Sequence, residues 1–486
     1  MATKYLYGAA VHGIQEFIFN TSKLKEIIGA SELVERICTD VFGKYAERGE
    51  NIIRAAGNVK FLFYQKHDYD CEKAVYEFPR EAKKIAPGII ISQAVVEYDD
   101  ANEKQFADKI NELECKLRCQ RNHRERSLLT GFMGIERSRR SGLPVLAMSW
   151  NGEFVDLSTK SKLEASGNSR LCKKMFGKDI DVSNHEKFLG ENDWLAVIHA
   201  DGNGLGKVVQ KLGCDQKVLA EFSCKLDEAT CGAAKAAFES LPANIKNAEN
   251  IPLRPIVLGG DDFTVVCRAD LSLVFVRKFM TEFEERTEKL LGEILEEKNV
   301  FRNGRKLTVC IGVAFVKSSY PFHYGYLLAE ALCNQSKIDA NENLGERELP
   351  QSCLSFYKVQ DSFVESLVAM QQREQQPSNG HSFVFGPYYL HPKEKRWTID
   401  VLLDKARQIS GDDMSSNAVK SGLRRWLSAM HDGVDQASQM KQRLLEITTN
   451  KDFVRELTDG ERRDGKLCYS VYDMLVINTI MNQKTR

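Results

Sequence analysis

Residues 251–270 read IPLRPIVLGGDDFTVVCRAD, two apolar runs separated by two glycines and two adjacent aspartates. Asp261 and Asp262 repel each other unless something cationic sits between them. A third aspartate, Asp201, stands in IHADGNGLGKVV, where an apolar run gives way to Gly202, Asn203, Gly204 and Gly206. A glycine-rich turn between a strand and a helix lets backbone N–H groups approach a phosphate at the positive helix end. A carboxylate beside those phosphates makes chemical sense when a divalent metal bridges the two. Two plainer readings stand beside this one: Asp201 as the cap of an ordinary βα turn, and the aspartate pair as a solvated hairpin tip. A dinucleotide-binding loop fits less well, because the glycines are spaced G-x-G-x-G rather than G-x-G-x-x-G.

The elements around these residues decide between the readings. WLAVIH leads into the glycine turn as a strand, and a helix follows from about Gln216 to Leu241. PIVL and FTVVC read as buried strands of a hairpin with the aspartates at its tip. LSLVFVRKFMTEFEERTEKLLGEILEE is a helix, KLTVCIGVAFVK a strand, and FHYGYLLAEALCNQSK an amphipathic helix. In a βαββ unit, the turn after the first strand and the tip of the central hairpin fall at the same sheet edge. Asp201, Asp261 and Asp262 then converge as a hard-oxygen site suited to Mg²⁺ or Mn²⁺. Two such ions, about 3.5–4 Å apart, serve nucleotidyl transfer by activating a hydroxyl and stabilising the leaving pyrophosphate.

The first half repeats the pattern: KYLYGAAV extended, a helix from SKLKEII to KYAE, the strand VKFLFYQK, the helix CEKAVYEFPREAKKIA and the strand GIIISQAVVEY, with room for one more short strand. A charged helix runs from about Lys104 to Arg126, VLAMSWNGEFVDL forms a short hairpin, and residues 158–190 read as an irregular polar linker. The fold class expected is α+β: two ferredoxin-like βαββαβ palms followed by a helical C-terminal domain. The boundaries expected are 1–103 for a degenerate first palm, 104–190 for a linker or insert, 191–360 for the second palm and 361–486 for the mostly helical remainder.

Composition limits the partners. Among 486 residues, 68 Lys and Arg balance 68 Asp and Glu, so no net field draws the chain onto nucleic acid or anionic membrane. The start lacks the pattern of a signal peptide, and no run approaches the roughly 18 apolar residues that span a bilayer. With thirteen cysteines in no framework spacing, the expectation is a cytoplasmic protein with reduced thiols and no membrane contact. One local patch stands out: Arg118, Arg121, Arg124, Arg126, Arg137, Arg139 and Arg140. It reads either as a solvated helix face and loop or as a contact for RNA or nucleotide. Cys115, Cys119 and His123 recur every four residues without paired knuckles, so no zinc is expected there.

In order and spacing, WLAVIHADGNGLGKVV, PIVLGGDDFTVVC and LTVCIGVAFVKSSYPFHYGYLLAEALCNQSK resemble the second palm of the CRISPR-associated polymerase. That family supplies the large subunit of type III (Csm/Cmr) effector complexes, and its GGDD palm is related to GGDEF nucleotide cyclases. GIQEFIFNTSKLKEIIGASELVERI and AAGNVKFLFY resemble parts of its first palm. The resemblance implies a nucleotidyltransferase that joins NTPs, with ATP as substrate, into cyclic or short oligonucleotide messengers in antiviral defence. It implies Asp201, Asp261 and Asp262 as catalytic metal ligands, and Gly202, Asn203, Gly204, Gly206, Gly259, Gly260 and Lys337 as nucleotide contacts.

Departures are visible as well. Asn203 stands where many relatives carry a second aspartate, and the first half has Val11-His12 and Gly57-Asn58 at its turns. The first palm is therefore expected to be catalytically dead, and the N-terminal nuclease domain of many relatives is expected to be missing. The rival reading is a non-catalytic palm scaffold that binds nucleotide or RNA within a ribonucleoprotein. A dimeric diguanylate-type cyclase would need two active palms. An oligomer is compatible with the main reading.

Overall fold

The protein is described here by a computed structural model over residues 3–19, 21, 23–46, 49–55, 57–64, 68–99, 104–122, 134–139, 141–149, 152–167, 170–177, 194–212, 215–248, 251–302, 304–345, 347–361, 363–377, 380–394, 396–409, 414–463 and 465–482. The first half builds β1 (Thr3–His12), α1 (Ile14–Phe19), α2 (Leu24–Arg36), β2 (Gly49–Ala55), β3 (Asn58–Tyr64), α3 (Asp68–Ile85) and β4 (Ile90–Asp99). Its antiparallel sheet has the order β2-β3-β1-β4, the ferredoxin-like arrangement, and β2 is the extra short strand. α4 (Lys104–Asn122) is charged on its outer side. Phe106, Ile110, Leu113 and Leu117 recur at helical spacing and are buried against Leu6, Leu62 and Val96 on one face of this sheet.

The expected hairpin forms from β5 (Ala147–Met148) and β6 (Phe154–Val155). The irregular linker expected over 158–190 is corrected in its described part: α5 (Leu157–Ala165) and α6 (Arg170–Phe176) are helices. Their polar composition hides two causes. Asp156 caps α5 by accepting from the Thr159 N–H at 2.9 Å, and α6 buries Leu171, Cys172, Met175 and Phe176. The rest of that span, 178–193, lies outside the described residues.

The second palm comprises β7 (Trp194–Gly202), α7 (Leu205–Leu212), α8 (Gln216–Glu239), α9 (Ala243–Lys246), β8 (Leu253–Gly259), β9 (Asp262–Arg268), α10 (Ala269–Glu297), β10 (Val309–Lys317), α11 (Phe322–Asn341) and β11 (Cys353–Lys358). The order β10-β7-β9-β8 repeats the first palm, and β11 extends it in parallel beside β10. β7 reads as a continuous apolar run because both its faces are covered. Ala196, Ile198 and Ala200 join the core with α8 and α10, while Leu195 and Val197 join the core with α2 and α11.

Beyond it follow α12 (Leu367–Gln375), β12 (His381–Ser382), β13 (Tyr388–Tyr389), α13 (Ile399–Ile409), α14 (Met414–Asp432), α15 (Val434–Ile447), α16 (Lys451–Asp459), β14 (Glu461–Arg463), β15 (Lys466–Cys468) and α17 (Val471–Met481). This region is mostly helical, as expected, yet it lends β13 to the edge of the second palm sheet. The two palms meet through α1 and α2. Phe19 stacks on Tyr326 with ring centroids 3.8 Å apart, and the Ser31 hydroxyl donates to the Ile256 carbonyl. Ile27, Ile28, Leu33 and Val34 of α2 belong to one core with Ile256 and Val266 of the second sheet. No helix among the described residues is long and apolar enough to cross a membrane.

Candidate active site

β7 and β9 are antiparallel neighbours, with His199 opposite Thr264 and Ala200 opposite Phe263. One step further along the ladder, Asp201 comes opposite Asp262, and the tight turn between β8 and β9 adds Asp261. Carboxylate oxygens of Asp201, Asp261 and Asp262 all lie within 4.8 Å of one another, the only such metal-competent group among the described residues. Burial, then the Asp201 charge, raises Asp261 above the usual carboxylate range. Asp262 keeps a solvent-exposed edge, yet burial among protein atoms, followed by the Asp261 and Asp201 charges, pushes it up to about 7. Three carboxylates crowded within 4.8 Å of one another form a donor set that a hard divalent cation relieves.

Lys337, in the last turns of α11, is ion-paired to Asp201. Burial works against its charge, but the Asp201 partner outweighs this and raises its pKa. Lys337 thus supplies one positive charge against three carboxylates. His199, beside them on β7, is pushed down to about 4 by burial, helped by Lys337 and opposed by Asp201. It is a neutral imidazole near pH 7, with Nδ1 3.0 Å from the Thr264 hydroxyl.

The glycines occupy distinct places. Gly202 ends β7, where a Cβ would come within 3.3 Å of the Asp261 Cβ and 2.5 Å of Leu205. Gly204 lies against Phe301, and Gly206 falls in the first turn of α7 with open space around it. Gly259 pairs with Asp262 across the hairpin, and Gly260 makes the turn at φ +62°. Asn203 departs from a ligand's pose. It is 2% exposed, its amide donates to the Thr308 hydroxyl at 3.0 Å, and Thr308 in turn donates to the Pro350 carbonyl at 2.6 Å. The Asn203 side chain therefore braces the glycine turn from behind.

Other residues at this edge were invisible in the sequence. Asp227 and Thr230 of α8 hold the Gly260 turn: Asp227 Oδ1 accepts from the Gly260 N–H at 3.2 Å, and the Thr230 hydroxyl donates to the Gly260 carbonyl at 2.6 Å. Both sit at ordinary helical spacing, so the only available signal was polarity on an otherwise apolar helix face.

A cavity of about 420 Å³ opens between the palms and reaches the site through Asp262. His199 and Thr264 line it from the second sheet, and His12, Asn58 and Arg121 from the first half. The degenerate palm thus faces the carboxylates. Its strand register also corrects the sequence reading: Ala10, not Val11 or His12, pairs with Asn58 as Asp201 aligns with Asp262. The positions matching Asp201, Asp261 and Asp262 are Ala10, Gly57 and Asn58. Within the arginine patch, Arg118, Arg121, Arg137 and Arg139 are exposed, while Arg124, Arg126 and Arg140 lie outside the described residues. Cys115 and Cys119 are exposed on α4, and His123 also lies outside the described residues.

Residues 194–344 match the family model described as Cas10/Cmr2, second palm domain. No curated protein sequence matches the chain. Among solved structures, the chain is similar to a Csm1–Csm4 cassette in complex with cA4, at 15% identity and TM-score 0.60, covering 98% of this chain and 70% of that one. It is similar to Csm1 in T. onnurineus, at 15% identity and TM-score 0.60, over 99% and 69% of the two chains. A Csm1–Csm4 cassette in complex with one ATP aligns at 16% identity and TM-score 0.59, over 98% and 69%.

Proposed function

The chain is Cas10-like, with a Cas10/Cmr2 second palm over residues 194–344, and from that premise we propose that it is a metal-dependent nucleotidyltransferase. It joins NTPs, with ATP as substrate, into cyclic or short oligonucleotides with release of pyrophosphate, as a signal in CRISPR-type defence. The carrying observation is the convergence of Asp201, Asp261 and Asp262 beside a glycine turn and a lysine. The similar structures in complex with ATP and with cA4 support the substrate class.

Asp201, Asp261 and Asp262 would hold the divalent ions. Bound there, Mg²⁺ or Mn²⁺ would activate the attacking hydroxyl and stabilise the leaving pyrophosphate. The chain's own residues do the rest. Backbone N–H groups of Gly204, Leu205 and Gly206 at the start of α7 cradle the triphosphate, the Asn203 N–H being taken by the Thr308 carbonyl, and Lys337 leaves Asp201 to meet a phosphate oxygen. The cavity beside Asp262 receives the nucleotide whose hydroxyl attacks, with the neutral His199 and Thr264 on its floor. No side chain is needed as general base, because positioning and charge carry phosphoryl transfer.

Asn203 favours the rival reading of a scaffold that binds nucleotide without turnover, since its buried amide gives the turn no second carboxylate. One experiment separates them. The purified protein is incubated with each NTP and Mn²⁺ or Mg²⁺, and products are resolved by mass spectrometry. The expected result is oligoadenylate and pyrophosphate from ATP. Binding of ATP without product, in the presence of either metal, would establish the scaffold.

A further inference from the structure

The turn that carries Asp261 is tied to a residue far outside the second palm. Lys174, on α6, places its ammonium 3.7 Å from Asp227 Oδ1, the same oxygen that accepts the Gly260 N–H. That ammonium also donates to the Leu258 carbonyl at 3.4 Å, two residues before Gly260. On its other side it lies 3.2 Å from Glu35 Oε1 on α2 of the first palm. Lys174 and Asp227 are about one-third exposed, and the Glu35 side chain is more buried at 13%. Burial opposes charge on Lys174, but Glu35 and Asp227 outweigh it and keep it protonated.

We propose that Glu35, Lys174 and Asp227 form a latch through which the first palm and the α6 segment position the Gly260 turn and so set the geometry of Asp261 and Asp262. Lys174 and Asp227 are positioning residues, because neither lines the cavity or belongs to the carboxylate cluster; Glu35 lines the cavity and reaches the turn only through Lys174. Gly260 adopts φ +62°, with no heavy atom within 4 Å of where its Cβ would be, so its own packing does not fix the turn. Its amide and carbonyl are instead held by Asp227 and Thr230. Asp227 is a partly exposed carboxylate, and the cation 3.7 Å from its Oδ1 favours the orientation in which that oxygen faces both Lys174 and the Gly260 N–H. The position of that cation depends in turn on Glu35, on a helix that belongs to the other palm. A shift of α2 or α6 is therefore transmitted to the carboxylate cluster through three side chains.

This inference rests on the reading of the cluster as a metal site for nucleotidyl transfer, and its test is chosen to remain decisive if that reading fails. The primary readout is hydrogen exchange of the 258–262 amides in the full chain, which requires neither metal nor turnover. Lys174→Met and Asp227→Asn should each speed exchange at Gly260 by about tenfold or more, and Glu35→Gln should speed it by a smaller factor. Lys174→Arg should restore protection. A melting curve for each variant identifies any that fail to fold, in which case Lys174→Arg and Glu35→Gln carry the comparison. In assays with Mn²⁺ and ATP, Lys174→Met should lower kcat with little change in KM and weaken Mn²⁺ binding several-fold. Wild-type exchange at Gly260 in folded Lys174→Met, or in Glu35→Gln, would overturn the latch. Absence of product or Mn²⁺ binding in the wild-type chain would overturn the functional reading alone.

Discussion

The two palms share one topology and differ in what they carry at one edge. In each sheet the first strand runs antiparallel to the third, and the second and third strands meet in a tight turn beside its end. The second palm places Asp201, Asp261 and Asp262 there, and the first places Ala10, Gly57 and Asn58. The fold alone brings three positions together; the residue types decide whether the result is chemistry or scaffold. The carboxylate edge is electrostatically costly, as the raised pKa values of Asp261 and Asp262 show, whereas the first edge carries no such conflict.

The largest expected effect tests the active side of that comparison. Asp261→Ala with Asp262→Ala should abolish product, with turnover down on the order of a thousandfold or more and the melting temperature kept. A double variant that retains near wild-type turnover would end the distinction between the palms.

A second test separates brace from ligand. The only Thr308 hydroxyl proton already goes to the Pro350 carbonyl, so that oxygen can accept from Asn203 but has nothing to offer a carboxylate. Asn203→Asp should therefore cost about 1–3 kcal/mol of stability and leave the Mg²⁺ requirement unchanged. A metal titration that shifts to clearly lower Mg²⁺ in this variant would place the residue at position 203 among the metal ligands.

The tip glycines should behave oppositely. Gly57 has φ +79°, and a Cβ there would lie 2.3 Å from Ile14 Cδ1, whereas Gly260 has φ +62° and open space. Gly57→Ala should lose roughly 1–2 kcal/mol of stability while keeping kcat. Gly260→Ala should lose about 1 kcal/mol and lower kcat, because its turn carries Asp261. Denaturant melts and turnover measured on both variants check this, and equal kcat losses would erase the contrast.

The smallest effect is in pH. The folded pKa of Asp262, about 7, stands above the ordinary unfolded value, so the folded state holds more protons through that window. Stability of the metal-free protein should therefore fall as pH rises from about 4 toward 7, and Asp262→Asn should flatten part of that slope. Asp473, pushed by burial to about 7, contributes another part. Melting temperatures across this range, in chelator, measure both; an unchanged slope in Asp262→Asn would show that the cluster is not the source.

Much of this architecture was legible because apolar runs and turns punctuate it. The alternation of strands and helices around GGDD placed Asp201 and the aspartate pair on one edge, and the structure puts them there. What stayed hidden depended on contacts distant in sequence. Ala10 could not be matched to Asp201 without the strand register. Asp227 and Thr230 sit at spacing that looks like ordinary core and surface, so only their polarity hinted at their contact with Gly260, and nothing local marked Lys174 as the neighbour of Asp227 and the Leu258 carbonyl. α5 and α6 read as linker because their sequences are short and polar, and their burial comes from α2 and α8 rather than from their own periodicity.

Helix α2 belongs to a single core shared by the two palms, lying between the first sheet and the face of the second that α11 also covers. Such a shared wall has no separable owner. A fragment beginning at the second palm would keep α11 over β7 but strip α2 from β8, exposing Ile256 among others, and a large apolar side chain forfeits up to about 1.5–3 kcal/mol when its burial is lost. The two palms should accordingly melt in one cooperative transition. The palm whose edge lacks the carboxylates then serves as the other palm's solvent barrier.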